Sequence, residues 1–329
     1  MIMAATIKDI SAYTGLSTGT ISNYINGKGN VSQEKQETIR NAMNKLGYHL
    51  NVAGRSLRTN SFKTIGILIP DFGNVYLLRV ISIIEDSLEQ CGYGILVVSY
   101  GHSPEKEQSL IGYLAGRTDG IIYVPSNMDS GFHRYLNTIR REKPIVIFDE
   151  VFDGINCDCI IVDSKEATEN AVAALIRKGH REIGILLGPK GRFTTNERLY
   201  GYKKAHEASH LPIRKENIAF GNYTKSSGKA MCEELLDRNR NITAIFASGY
   251  RIMLGVLSVL CERNLSEEIE VFGYDAKDIE DITKPKLPYV YQPYDLIAKE
   301  ITGLILKQIS EGITDPPKRI LLAAELRNI

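Results

Sequence analysis

Thr18, Gly19, Thr20 and Asn23 place hydroxyl, methyl and carboxamide groups within six consecutive positions. These are groups that read base edges in the major groove of DNA. Asn23 lies one helical turn beyond Thr18 and Gly19, so the three share one side of a helix. A carboxamide there can both accept from and donate to adenine, while threonine offers a hydroxyl and a methyl. Gly19 has no side chain for reading a base; it leaves room for a thymine methyl or lowers specificity. Asn23 has a second reading, as an amide that only caps or solvates the helix. Ser17, Thr20, Ser22 and Asn30 are placed to hold phosphates, which fix position without specifying sequence. Thr6, opening the preceding helix, joins this DNA-contacting set.

Two short helices must carry these groups. Thr6 followed by Asp9 forms a capping-box-like start, and Ile7, Ile10 and Tyr13 put apolar side chains on one face. Gly15 permits the left-handed stop, Leu16 plugs the turn, and Ser17 caps a second helix over 18–26 that Gly27 ends. This is the pattern of a helix-turn-helix, although any small helical bundle has a similar one. Ser32 is expected to cap a third helix carrying Ile39, Met43 and Leu46, closed by Gly47.

Charge agrees with this division. Residues 1–63 hold eight basic and three acidic side chains, a net +5, which leaves −4 on the rest of a chain whose total is +1. A basic head on a mildly acidic body fits phosphate contact by the head alone, as it also fits a solvated surface. The 329 residues call for two or three domains, and 43% hydrophobic residues without a long apolar run point to a soluble protein with no membrane span. No charged-then-apolar leader opens the chain, so the expected location is the cytoplasm.

Signals for catalysis are sparse. There is no phosphate-binding Gly-rich loop after the first strand, no nucleophile elbow, and no HExxH among the six histidines. Five cysteines do not make a disulfide framework, and Cys157 with Cys159 lacks partners for a metal site. The expectation is a protein that is not an enzyme and needs no metal or cofactor.

From Lys63 onward strand and helix signals alternate, beginning with the apolar run TIGILIP over 64–70. Such alternation marks parallel sheets covered by helices on both faces. The pattern restarts at the strand 159–162, giving two α/β units of similar size. Between two such lobes the strand C-termini converge on a cleft, the default ligand site of this architecture.

The segments TIKDIS, LSTGTIS, YINGKGNVS and RSLR, in this order and spacing, resemble the lac repressor (LacI/GalR) family of bacterial transcription regulators, and the resemblance runs through nearly the whole chain. It implies a helix-turn-helix head at 1–50, a hinge at 51–61, and a two-lobe body like that of periplasmic binding proteins. The implied first lobe is 62–160 with 292–318, and the second is 161–291 with 319–329, so that the final strand falls in the second lobe.

It further implies a hinge that becomes helical on double-stranded operator DNA. Leu57 from each subunit of a homodimer would then wedge into the minor groove at the centre of a near-palindromic site, flanked by Arg55, Ser56 and Arg58. Gly54, where alanine is common, makes this helix fold less readily without DNA. For a small-molecule effector, the matching positions are Asp71, Tyr76, Asp149, Arg198 and Asp275, a set suited to a polyhydroxylated ligand.

The chain departs from the family after the strand 244–247, where Gly249-Tyr250, preceded by Ser248, stands in place of an Asn-Asp pair. Tyr250, with Phe193 and Phe220 if they face the cleft, points to a stacked sugar, a more aromatic ligand or a remodelled site. A regulator answering to a phosphorylated protein partner, a solute-binding protein and an α/β enzyme are the competing readings.

Overall fold

The computed structural model describes residues 5–25, 29–48, 61–126, 129–280, 283, 286–313 and 315–329. The hinge positions Arg55, Ser56, Leu57 and Arg58 lie outside these residues, as does the proposed stop at Gly27. The chain divides into two compact units, 1–62 and 63–329.

The first unit contains α1 (Ile7–Thr14), α2 (Thr18–Ile25) and α3 (Gln33–Leu46). The Thr6 hydroxyl accepts from the Asp9 amide, while the Asp9 carboxylate accepts from Thr6, closing a capping box. Gly15, at φ 69°, takes the left-handed conformation that stops α1, and Ser17 Oγ accepts from the Thr20 amide at 3.1 Å to start α2. Ser32 occupies the N-cap position of α3, but its hydroxyl makes no capping bond there, a correction to its expected role. One residue from each of α1 and α2, Ile10 and Ile21, meets Ile39 and Ala42 of α3 in a small core.

Among the described residues, the second unit holds two six-stranded sheets. The first has the order β11-β5-β4-β3-β1-β2, with β1 (Thr64–Ile69), β2 (Gly94–Ser99), β3 (Gly120–Tyr123), β4 (Ile145–Phe148), β5 (Asp158–Val162) and β11 (Arg319–Leu322), all paired in parallel. Helices α4 (Val75–Gln90) and α11 (Tyr294–Glu311) cover one face, where Leu77, Ile84 and Ile301 pack on Ile65 and Ile67. Helices α5 (Pro104–Ala115) and α6 (Ser130–Arg140) cover the other face with Leu114, Phe132 and Leu136. The central strands are buried on both sides, which is why they read as unbroken apolar runs rather than alternating ones.

The second sheet has the order β12-β10-β9-β8-β6-β7. It comprises β6 (Ile183–Leu187), β7 (Ile218–Phe220), β8 (Ala244–Ala247), β9 (Glu270–Tyr274), β10 (Tyr289–Tyr291) and an antiparallel β12 (Glu325–Arg327). Helices α7 (Ser164–Arg177) and α8 (Phe193–Ala208) pack on one face. Helices α9 (Lys225–Arg238) and α10 (Tyr250–Glu262) pack on the other.

The lobe boundaries implied by the resemblance need two corrections. The strand Arg319–Leu322 belongs to the first lobe, and so does all of Asp158–Val162; only β12 joins the second sheet. Buried Asp158 helps to hold this arrangement. Its Oδ1 accepts from the Lys318 amide at 2.7 Å and its Oδ2 from Gln308 Nε2 at 2.9 Å, so the returning chain is docked beside β5. Hydrophobic periodicity identifies a strand but carries no information on which sheet it joins.

Candidate DNA-reading face and ligand cavity

In the first unit, Ile21 faces the core while Ser17, Thr18, Gly19 and Asn23 are exposed, Thr20 and Ser22 half-buried, and Asn30 exposed. The amphipathic α2 therefore turns its small polar residues outward, as a groove-reading helix must. The hydroxyls of Ser17 and Thr20 lie 2.9 Å apart and cap the helix start, which ties both to the local fold. The nearest heavy atom to a side chain added at Gly19 would be Ser17 Oγ, at 3.7 Å, so nothing among the described residues of the head requires glycine there.

In the second unit a cavity of about 450 Å³ opens between the two sheets, within the range of roughly 300–1,000 Å³ usual for small-molecule sites. It is built at the C-terminal ends of strands. Asp71 and Tyr76 follow β1, Asp149 follows β4, Arg198 sits on the helix after β6, Tyr250 opens the helix after β8, and Asp275 follows β9; all six line the cavity. Asp149 and Asp275 both adopt left-handed backbone conformations, φ 70° and 56°, which end each strand abruptly and turn the chain at the cavity wall.

The electrostatics are set by burial. Desolvation pushes the Asp149 carboxyl up to about 7, helped by the charge of adjacent Glu150 and opposed by Arg198 and Arg192. Asp275 is likewise pushed up to about 6 by burial, while hydrogen bonds from Gln292 Nε2 at 2.8 Å and Tyr294 Oη at 2.9 Å restrain it. Those bonds occupy Asp275, so Arg198 does not pair with it directly. Instead Arg198 Nη1 donates to the Ser248 carbonyl at 2.6 Å, and its guanidinium lies 4.1 Å over the Tyr274 ring. Burial opposes the Arg198 charge, but the surrounding tyrosines and the two aspartates outweigh it and raise its pKa. The Nε of Arg198 and the phenol oxygen of Tyr76 are buried without a hydrogen-bond partner among the described residues. A buried polar atom left unpaired costs about 1–3 kcal/mol, so these two atoms mark where a ligand would be rewarded.

Two expected residues are not in the cavity. Phe193 packs under the Arg319 guanidinium, 5.6 Å from its ring centroid, and Phe220 lines a separate depression with Lys190, Lys203 and Lys215. Phe220 sits within the edge strand β7, one turn too early; the aromatic that reaches the cavity is Tyr223, just past the strand end. The rule that ligands sit beyond strand C-termini would have selected it. Sequence reasoning also passed over Glu150, Arg192, Thr194 and Arg251. Glu150 accepts from the Phe193 amide at 2.9 Å and from the Thr194 hydroxyl, and ion-pairs with Arg192 at 3.5 Å. Its only signal was its place beside Asp149.

Among the described residues no cluster of side chains could hold a metal ion, and no helix is long and apolar enough to cross a membrane.

Comparison with known proteins bears on both units. The model for bacterial regulatory proteins of the lacI family matches residues 6–51, and that for the periplasmic binding protein-like domain matches 172–328. The chain is similar to the HTH-type transcriptional repressor PurR of Vibrio atlanticus (strain LGP32), 30% identical over 319 residues that cover 96% of this chain and 95% of that protein. It is 27% identical over 318 residues to catabolite control protein A of Priestia megaterium, covering 95% of each. Among solved structures, the transcriptional regulator CelR in complex with cellobiose superposes with a TM-score of 0.73 at 26% identity, covering 98% of both chains. The lac repressor dimer bound to operator and the anti-inducer ONPF shares the fold, with a TM-score of 0.84 at 21% identity over 98% of both. With a capped helix-turn-helix head, a two-sheet body enclosing a polar cavity, and relatives aligned from end to end, this chain belongs to the LacI family of DNA-binding transcription regulators.

Proposed function

We propose that this regulator is a cytoplasmic repressor. It binds a near-palindromic operator as a homodimer and is switched by a small, polyhydroxylated effector, a sugar or sugar derivative, in the cavity between its lobes. The observation that carries the effector reading is the pair of unpartnered buried atoms, Arg198 Nε and Tyr76 Oη, in a cavity also lined by Asp149. A carboxylate, a guanidinium and a phenol together satisfy vicinal hydroxyls. The Tyr223 and Tyr250 rings offer apolar faces for a sugar ring to stack on. That CelR has been solved with cellobiose makes β-linked disaccharides the first compounds to try. On the DNA side, Thr18 and Asn23 read bases, Thr6, Ser17, Thr20, Ser22 and Asn30 hold phosphates, and Leu57 with Arg55, Ser56 and Arg58 supplies the minor-groove wedge.

The test is selection of random duplexes on the full-length protein, first alone and then with a panel of mono- and disaccharides. Recovery of a two-fold symmetric site, weakened at its centre by Leu57→Ala and released by one sugar, is the expected result. A symmetric site that no small molecule affects would favour control by a phosphorylated protein partner. Failure to enrich any sequence in either condition would sink the operator reading.

A further inference from the structure

Arg251, the residue after Tyr250, crosses from the second lobe to the first. Its Nη1 lies 3.2 Å from Asp71 Oδ1, while His102 Nε2 lies 3.1 Å from Asp71 Oδ2, so both oxygens of this carboxylate carry an intramolecular cationic or hydrogen-bonding partner. The three side chains line the cavity yet stay partly open to solvent, at 32%, 28% and 62% exposure for Arg251, Asp71 and His102. Glu150, by contrast, is only 1% exposed. The Asp71–Arg251 pair therefore stands at the solvent margin of the cavity, not in its depth.

A second, independent feature is Gly73. A Cβ there would lie 2.6 Å from Arg251 Nη1 and 2.8 Å from Asp71 Oδ1, although the glycine backbone is not in the left-handed region. A side chain at this position would push against the tip of Arg251 and the Asp71 carboxylate, so Gly73 leaves open the space in which the pair meets. The Gly73 amide also donates to Asp71 Oδ1 at 2.6 Å, fixing the carboxylate toward the arginine. The hydrogen bonds from His102 and Gly73 and the Arg251 charge hold the Asp71 carboxyl below its ordinary value against the opposing effect of burial, so it is ionised at neutral pH.

We propose that Arg251 and Asp71 form a latch that draws the two lobes together before any effector binds, and that the effector must displace Arg251 to gain Asp71. This deepens the reading of the cavity as the effector site and rests on it. Asp71 is then a residue of the closing device first and of ligand binding only after exchange. A partly exposed pair of this kind is weak enough to exchange. Arg79 with Asp278, and the buried Glu150 with Arg192, also pair across the lobes, so breaking the latch widens the cleft without separating the lobes.

The protein carries its own labelling sites. Cys91 lies at the end of α4 in the first lobe and Cys261 on α10 in the second; both are exposed, whereas Cys157, Cys159 and Cys232 are buried. Spin labels on these two cysteines, with labelled subunits diluted into excess unlabelled protein, report the distance between lobes within one chain. Without effector, the wild type is expected to give a single narrow distance. Arg251→Ala is expected to shift it to a longer and broader distribution, and Gly73→Ala to do the same with every charge retained. Far-UV circular dichroism and melting curves check that both variants remain folded. A wild-type distribution already broad, or variant distributions superimposing on the wild type, would overturn the latch. If no sugar in the panel alters distance or melting in any of the three proteins, the effector reading fails while the latch result stands.

Discussion

Glu150 Oε1 and Arg192 Nε lie 3.5 Å apart, joining the segment after β4 in the first lobe to the residue that opens α8 in the second. The carboxylate also accepts from the Phe193 amide and the Thr194 hydroxyl, and Arg192 Nη2 donates to the Pro125 carbonyl at 3.1 Å, so both charges are compensated where they are buried. Removing one partner strands the other. Glu150→Ala is expected to lower stability by about 3–5 kcal/mol. Glu150→Gln, which keeps the shape and part of the hydrogen bonding, is expected to cost less. Urea unfolding midpoints of the two variants decide this, and equal midpoints for Glu150→Ala and wild type would show that the pair contributes nothing.

Asp149 gives a pH signature. Its folded pKa of about 7 stands above the ordinary value of 3.8, so between these limits the folded state holds more protons than the unfolded one and stability falls as pH rises. The cost is complete above pH 7 and absent below about pH 4. Asp149→Asn removes it, and asparagine tolerates the left-handed φ of 70° at this position. At roughly 1.4 kcal/mol per pKa unit, the variant is expected to be more stable than wild type by about 4–5 kcal/mol at pH 8 and by about 1–2 kcal/mol at pH 5. Melting temperatures of both proteins across this range check the slope; a constant difference would contradict it.

Gly19 separates stability from specificity in the head. A methyl group added there meets only Ser17 Oγ at 3.7 Å, an ordinary contact. Gly19→Ala is expected to stabilise the head by about 0.5–1 kcal/mol through helix propensity. Operator preference at the facing base pair should change at the same time. A thermal melt and a repeat of the duplex selection measure the two effects separately.

Asn23 and Ser22 should differ in kind. Asn23→Ala is expected to cost about 1–3 kcal/mol on the selected operator and to relax the preference at one position. Ser22→Ala is expected to weaken all sequences alike, since a phosphate contact carries no base information. Competition binding against single-base operator variants distinguishes them.

Gly201 tests the packing that holds Arg198 in place. A Cβ at this position would lie 2.2 Å from the Lys165 carbonyl oxygen of α7, a backbone atom that cannot swing away. Gly201→Ala is expected to destabilise the second lobe by about 1–3 kcal/mol through overpacking. It should also weaken effector binding, because α8 carries Arg198 one turn earlier. Calorimetric melting measures the first effect and titration with the effector the second.

What was legible in the sequence follows the range of the interactions involved. Thr6 with Asp9, Gly15 and Ser17 announce their helices because capping is settled within a few residues. β1, β3 and β4 announce themselves because both their faces are buried. Asp71, Tyr76, Asp149 and Asp275 were indicated by the family resemblance, and the structure sets all four in the cavity wall beyond strand ends. Phe220 was misjudged for Tyr223 because the end of a three-residue edge strand is hard to locate from periodicity, and Phe193 because a helix-opening residue can point to either side.

By itself, then, the sequence determined the elements, the basic head set off from an acidic body, and the polar groups that the strand ends deliver. The tertiary structure alone decided how distant segments meet. It placed β11 beside β5 through Asp158, set Glu150 against Arg192, and brought Arg251 to Asp71 across 180 positions of chain. Local hydrogen bonding and hydrophobic periodicity act over a few residues and are written in order along the chain. Buried ion pairs and sheet partners depend on which surfaces come together in space, and no spacing in the sequence encodes that.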